Sequence, residues 1–296
     1  MDRAEWLEAR RSGIGGSDAA AACGLSPYVT QGELYLDKTG EGPLDPPDSE
    51  RMRMGQLMES VIADAYAEKY GVKLRRSNVI KRHDRYPFML ANVDRTIEGQ
   101  RVGFEAKNVD GLVHKFGDWG AEDTDEVPQA YLLQCAHYMT VLNYDQWILG
   151  ALVGGNHLVR YVINRDRELE GILIENETSF WSHVERREPP PIDYDRPDAV
   201  RLLRKLYPGT GGGVIDLPDE AMHWHRVRVD AGLEAKAYEA TQDGASAHLL
   251  HLMGDAAIGR LPDGTEYRRK VVERKGYTVE PCQYVDFRHG KAKEPK

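Results

Sequence analysis

The chain has 296 residues, 41% hydrophobic and 29% charged, an ordinary balance for a globular protein and enough for one large domain with an appendage. A net charge of −9 excludes a protein that coats nucleic acid with its whole surface, though a local basic groove needs only clustered cations. There is no apolar run of about 18 residues to span a membrane and no apolar leader after Met1, and the distant Cys23, Cys135 and Cys282 suit neither a disulfide framework nor a four-cysteine cluster, so a reducing cytoplasm is expected.

Glu5 to Ala9 reads as a short helix. Gly13-Ile14-Gly15-Gly16 follows, and Ser17 or Asp18 is placed to cap an Ala-rich helix ending at Gly24. The glycines can bring backbone N–H groups to an anion there, or simply form a flexible loop. Thr30-x-x-Glu33 is a capping box and Gly40 a stop. Glu41 to Asp48, with Pro43, Pro46 and Pro47, is loop. Ser49 opens a long amphipathic helix ended by Gly71. Met54, Leu57, Met58, Val61, Ile62 and Ala65 form its predicted buried stripe, with Glu59 at the edge.

Lys69, Lys73, Arg75, Arg76, Lys81, Arg82 and Arg85 then form a basic cluster, which is either a phosphate track or a solvated helix end and loop. Val79-Ile80, Phe88 to Ala91, Val93 to Ile97 and Gly103 to Val109 read as adjacent strands, with a turn at Gly99. Alternate side chains on a strand share a face, so Glu105 and Lys107 point one way and Phe104 and Ala106 the other. A hairpin can bring Asp94 beside them. Two carboxylates and a lysine on one face suit a Mg²⁺ ion and phosphodiester hydrolysis; the plain alternative is a solvated cross-strand ion pair.

Asp110 to Glu126 is a Gly- and acid-rich connection. Pro128 starts a helix through Met139, with Ala130, Gln134, His137, Tyr138 and Val141 on one side. Trp147 to Val153 and Leu158 to Ile163 form a hairpin across Gly154-Gly155-Asn156, and a helix over Asp166 to Arg187 ends before Pro189-Pro190-Pro191. The order predicts an α/β fold with a mixed central sheet flanked by helices. Residues 1–190 form the expected main domain, 191–215 a linker-like region, and 216–296 an α+β appendage with a helix near Glu220 to Gly254 and strands at Tyr267 to Val272 and Tyr277 to Val279.

Five pieces in order are Arg10…Gly15-Gly16-Ser17-Asp18, Gly55-x-x-x-Glu59, Asp94, Glu105-Ala106-Lys107 and Pro128-x-x-Tyr131-x-x-Gln134. Together they resemble the YqaJ-like viral recombinase family, the lambda-type phage exonuclease branch of the PD-(D/E)xK nucleases, over about residues 8 to 190. Val93 stands where the motif name has proline, a mild departure because proline is no ligand. The resemblance implies a restriction-endonuclease-like core and a Mg²⁺-dependent (Mn²⁺ substituting) 5′→3′ exonuclease acting on double-stranded DNA ends to leave 3′ single strands for recombination.

It further implies Asp94, Glu105, the Ala106 carbonyl and Glu59 at the metal, Lys107 orienting or deprotonating the attacking water, and Gln134 in the active site. Positive charge from the metals is expected to lower the Lys107 pKa. Arg10 and Ser17 resemble a pair that holds the 5′-phosphate, and Arg75, Arg76, Lys81 and Arg82 are candidate DNA contacts. Arg11 competes with Arg10, but the spacing to Ser17 favours Arg10. A single-strand annealing protein, a ring trimer or other homo-oligomer, and a phage or prophage origin in a bacterial cytoplasm also follow from the family, with no membrane association. The alternatives are an endonuclease or other repair nuclease of the superfamily, an iron–sulfur relative that the cysteine count disfavours, and a non-catalytic DNA-binding relative, which intact Asp94, Glu105 and Lys107 disfavour.

Overall fold

A computed structural model describes residues 3–42, 49–77, 79–195, 199–207 and 214–273. The chain divides into two compact units, Met1–Tyr207 and Pro208–Lys296. The first unit opens with α1 (Arg3–Arg11), β1 (Ile14–Gly15), α2 (Gly16–Ala22), α3 (Gln31–Thr39) and α4 (Glu50–Tyr70). It continues through β2 (Leu74–Arg76), β3 (Lys81–Arg82), β4 (Met89–Ala91), β5 (Arg95–Ile97), β6 (Val102–Val109), α5 (Gly111–Phe116) and α6 (Gln129–Leu142). β7 (Gln146–Val153), β8 (His157–Asn164), α7 (Arg167–Arg186) and α8 (Ala199–Leu206) complete it.

The central sheet has five strands in the order β2-β5-β6-β7-β8. β6 and β7 run parallel and the other neighbours antiparallel, so the expected mixed α/β architecture holds. A small sheet, β1-β4-β3, lies apart from it. One face of the central sheet packs on α4, where Ile62, Ala63 and Tyr66 meet Ile97, Phe104 and Ile148. Another core joins Met89, Val109, Tyr138, Met139, Trp147 and Leu149. β6 alternates between these cores, because Phe104 belongs to the first and Val109 to the second. Gly103 is required by contact: a Cβ there would lie 2.2 Å from the Trp147 ring.

Three local expectations change. The buried line of α4 is Met58, Ile62, Ala63 and Tyr66, whereas Met54, Leu57 and Val61 are exposed, as is Ala65. Both lines have helical spacing, and only the sheet selects between them. The Asp110 to Glu126 connection contains α5, whose first turn is capped by Asp110 accepting from the Leu112 and Val113 N–H groups at 2.8 and 3.2 Å. The linker-like region contains α8; its Leu202 joins the core formed with Leu34, Tyr35 and Phe180, and it lies so close to Gly32 that a Cβ there would meet it at 2.5 Å.

In the second unit, α9 (Glu220–Met253) is 34 residues long and has no buried residue, and β9 (Ile258–Arg260) pairs antiparallel with β10 (Glu266–Arg268). The expected strand at Tyr277 to Val279, the loop prolines Pro43, Pro46 and Pro47, and Cys282 lie outside the described residues. Among the described residues no helix is long and apolar enough to cross a membrane.

Candidate active site

The site forms where β5 stops short of β6. β5 pairs Arg95 and Thr96 with Phe104 and Gly103, so Glu105 and the residues after it have no β5 partner. Asp94, the residue before β5, sits in that gap and accepts a hydrogen bond from the Ala106 N–H. Parity along β6 turns Glu105 and Lys107 to one face. Gln134, buried on α6, completes a tight set. Lys107 Nζ donates to Glu105 Oε1 at 2.7 Å and to Gln134 Oε1 at 3.0 Å, while Gln134 Nε2 donates to the same Glu105 oxygen at 2.8 Å. The Lys107 ammonium also lies 4.9 Å from the Tyr131 ring centre.

These residues line a cleft of about 780 Å³. Asp94, Glu105, Ala106, Lys107 and Gln134 open into it, with Glu59 of α4 and with Arg10 and Ser17. Burial, followed by repulsion from Glu105 and then Glu59, pushes the Asp94 carboxyl up to about 8. Burial alone would depress Lys107, but the Glu105 carboxylate beside it more than compensates and holds the ammonium above its ordinary value. The field at Lys107 here is that of its own carboxylate partner.

The donor set fits a divalent cation. Glu105 Oε2 is buried and accepts no hydrogen bond, although a buried acceptor ordinarily finds a donor. Repulsion that holds a proton on Asp94 would be relieved by positive charge between the acids. Among the described residues no group of three or more His, Cys, Asp and Glu side chains is gathered closely enough to hold a metal by itself. Of the two acids that act on Asp94, Glu105 is the stronger influence and Glu59 the weaker. Mg²⁺ suits such a set because it retains water and takes substrate oxygens.

At the Arg10 side of the cleft, Arg10 Nη2 donates to Ser17 Oγ at 3.0 Å. Arg11 turns away to Asp37 and the Gly42 carbonyl. A buried ion pair sits beside Arg10: Lys38 Nζ reaches the Asp18 carboxylate at 2.7 Å and the Arg10 carbonyl at 3.2 Å. Burial would raise the Asp18 pKa, but Lys38 and Arg10 outweigh it and hold the carboxyl low. Asp18 also accepts from the Gly15 N–H at 3.0 Å. That amide is therefore already occupied, α2 begins at Gly16, and neither Ser17 nor Asp18 is its N-cap. Gly16 has a steric role, since a Cβ there would lie 2.5 Å from the Tyr138 ring.

The basic cluster does not line this cleft. Arg75 pairs with Glu98 at 3.8 Å, and Arg82 donates to the Pro87 carbonyl and Ser12 Oγ at 2.9 and 2.7 Å. Arg76 and Lys81 are exposed on β2 and β3. The cleft instead includes Tyr28, Arg51, Asn108 and Tyr131, which sequence reasoning gave no role. Tyr131 had a signal, lying one helical turn before Gln134; Tyr28 and Arg51 had none.

Residues 5–145, which contain every one of the proposed site residues, match the model of the YqaJ-like viral recombinase domain. The chain is 38% identical over 213 residues to the uncharacterized protein YqaJ of Bacillus subtilis (strain 168). That match covers 71% of this chain and 65% of that protein. In fold it is similar to an alkaline exonuclease from Laribacter hongkongensis, with a TM-score of 0.51 at 15% identity, covering 69% of this chain and 98% of the other. The same enzyme in complex with dAMP aligns equally, at 16% identity. Through residues 5–145 of its first unit, this chain is similar to the YqaJ-like viral recombinase family.

Proposed function

We propose that the protein is a divalent-metal-dependent exonuclease that degrades one strand of double-stranded DNA from its 5′ end. The observation that carries this reading is the convergence of Lys107 Nζ and Gln134 Nε2 on one Glu105 carboxylate oxygen, at 2.7 and 2.8 Å. Asp94 stands beside them in a cleft that also holds Arg10 and Ser17.

A Mg²⁺ ion held by Asp94 and Glu105, with the Ala106 carbonyl and Glu59 as further donors, would polarise the phosphate and acidify a bound water. The chain's own groups do the rest. Gln134 and Lys107 fix Glu105 through Oε1 and leave Oε2 to the ion. An ammonium has three N–H donors; two of those on Lys107 are occupied, and the third orients the attacking water or meets a phosphoryl oxygen. Arg10 and Ser17 grip the terminal 5′-phosphate, which sets the cut relative to the strand end. Arg75, Arg76, Lys81 and Arg82 supply sequence-independent backbone contacts on the flank. The 3′ strand left behind suits a single-strand annealing partner, which a pull-down with a co-encoded annealing protein tests.

The decisive experiment incubates the protein with 5′-phosphorylated linear DNA and with closed circular DNA, in Mg²⁺ and in EDTA. Digestion of the linear form alone, and only with metal, is expected. Cleavage of the circle would make the protein an endonuclease, and cleavage of neither would leave a non-catalytic DNA binder.

A further inference from the structure

None of the 34 residues of α9 is buried. A helix draws most of its stability from packing an apolar side, and α9 is not a purely polar rod: Met222, Val229 and Leu233 are exposed by 58, 44 and 61%. Eight positions recur along it in steps of 4 and 3 that alternate without a break. They are Met222, Arg226, Val229, Leu233, Lys236, Ala240, Asp243 and Ala247. Such steps keep side chains on one side of a helix, and they are the spacing of the a and d positions of a helix pair. The seam from Met222 to Ala247 is roughly 38 Å long at about 1.5 Å per residue.

This seam has a direction. Its N-terminal half carries the large apolar groups and the cation Arg226, and its C-terminal half carries two alanines and the anion Asp243. Against a second copy running the opposite way it is self-complementary. Met222 then faces Ala247, Arg226 faces Asp243, Val229 faces Ala240 and Leu233 faces Lys236, and every layer joins an a position to a d position. Large meets small in two layers, opposite charges meet in a third, and the Lys236 stem covers Leu233 in the fourth. Two-fold symmetry repeats each layer, so two ion pairs form. A parallel pair would instead set Arg226 against Arg226 and Asp243 against Asp243. Within one chain, Arg226 Nε donates to the Met222 carbonyl at 3.2 Å, and among the described residues Asp243 and Lys236 have no ion-pair partner. Gly232 and Gly244 flank the seam, with open space where a Cβ would stand, so a second helix can approach closely.

We propose that α9 is a dimerisation element, which pairs antiparallel with α9 of a second copy along the Met222–Ala247 seam and is fixed in register by Arg226–Asp243 ion pairs. Charged groups in such a seam set register and orientation at some cost in stability. The proposal stands apart from the nuclease reading, because no seam residue lines the cleft.

Sedimentation velocity of the full chain in the micromolar range tests it. The parent should sediment at twice the mass of one chain. Arg226→Glu and Asp243→Arg should each raise the dissociation constant roughly 100-fold, since symmetry turns both ion pairs into repelling ones. Equal mixing of the two variants should restore a two-copy species, because the heterodimer recovers an opposite-charge pair at both ends. The double swap, Arg226→Glu with Asp243→Arg, should restore the homodimer. Trp224 lies on the far side of α9, with its Nε1 on Glu220 at 3.0 Å, so Trp224→Phe should change nothing. A parent of any other mass, single variants as tightly associated as the parent, or single variants that neither mixing nor the double swap restores would each overturn the pairing. DNA cleavage is read separately: a parent that pairs without cutting fails the nuclease reading alone.

Discussion

Two acid–base pairs meet α6 three residues apart, one at Gln134 and one at His137, and they have opposite characters. His137 and Glu177 meet at 2.8 Å with both side chains fully buried. Glu105 and Lys107 meet at 2.7 Å, but Lys107 keeps 20% of its side-chain surface exposed. Each glutamate leaves its Oε2 buried without a donor. An orphaned carboxylate oxygen is therefore no sign of a reactive site by itself. What separates the pairs is the surroundings. His137 Nε2 lies 2.8 Å from the Leu90 carbonyl, so both ring nitrogens face oxygen atoms, and burial raises the Glu177 carboxyl as well. Burial alone would lower the His137 pKa, but Glu177 and that carbonyl outweigh burial and raise it. The pair is closed, and ties α6 and α7 to β4. The Glu105 pair has Asp94 beside it and opens into the cleft.

The largest effect expected is on the open pair. Glu105→Gln, Lys107→Ala and Asp94→Ala should each reduce cleavage by roughly three orders of magnitude or more, because a metal ligand or the water-orienting cation is removed from a set that acts as a unit. Thermal unfolding should be little changed in the Asp94 variant, since the acids repel each other in the metal-free protein. A Glu105→Gln protein that digests linear DNA at the parent rate would remove these residues from the chemistry.

The closed pair should behave the other way. His137→Ala or Glu177→Ala leaves one buried group unpartnered and should cost about 3–5 kcal/mol of stability, read from urea unfolding. Replacing both residues with apolar ones of similar volume should recover much of that loss. The pH profile has a defined sign. His137 has a folded pKa above its unfolded value, so its contribution is complete below pH about 6.5 and is lost as pH rises through the raised folded value. A stability profile that is flat above pH about 6 and unaffected by the double replacement would contradict the raised His137 value.

Arg10→Ala should lower the preference for a 5′-phosphate over a 5′-hydroxyl by roughly 10- to 100-fold, the scale of one hydrogen bond to a charged group. Arg11 faces Asp37 and the Gly42 carbonyl instead, so Arg11→Ala should leave that preference intact. Competition between the two ends on otherwise identical duplexes measures both.

Asp94 sharpens the contrast through pH. Its carboxyl, raised to about 8, carries a proton in the metal-free fold that the unfolded chain has already released. Stability of the metal-free protein should therefore fall as pH climbs from about 4 through 8. Mg²⁺ affinity should rise by up to about 10-fold per pH unit as that proton becomes easier to displace. Calorimetry in buffers of different ionisation enthalpy reads the released proton, and Asp94→Asn should abolish the release. If Mg²⁺ binds with no proton release at pH 7, the raised carboxyl belongs to another group.

The smallest effect concerns the flank. Neutralising Arg75, Arg76, Lys81 and Arg82 together should flatten the dependence of log affinity on log salt for duplex DNA, by roughly 0.9 for each phosphate that no longer meets a cation. An unchanged slope would make these residues solvated surface. Arg75 and Arg82 already have partners within the protein, so Arg76 and Lys81 should account for most of any change.

Local chemistry made a good part of this protein legible in the sequence. The Thr30–Glu33 capping box forms, with Glu33 N–H donating to Thr30 Oγ1 at 3.0 Å. Ser49, Gly40 and Gly71 bound their helices as expected, the two glycines in the left-handed conformation. Parity along β6 put Glu105 and Lys107 on one face, since period-two alternation needs no tertiary information. The selections made by packing were not legible. Two apolar lines on α4 had the same helical spacing, and only the sheet decided which was buried. The Gly15 amide is withdrawn from any ligand by Asp18, an arrangement that depends on how α2 starts and on Lys38 arriving from α3. Tyr28 and Arg51 reach the cleft from two separate segments, so no motif of fixed spacing could announce them. Sequence determines what is settled within a few residues along the chain; which faces meet, which cation finds which carboxylate and where the surface hollows depend on distant segments coming together, and that happens only once the chain has packed.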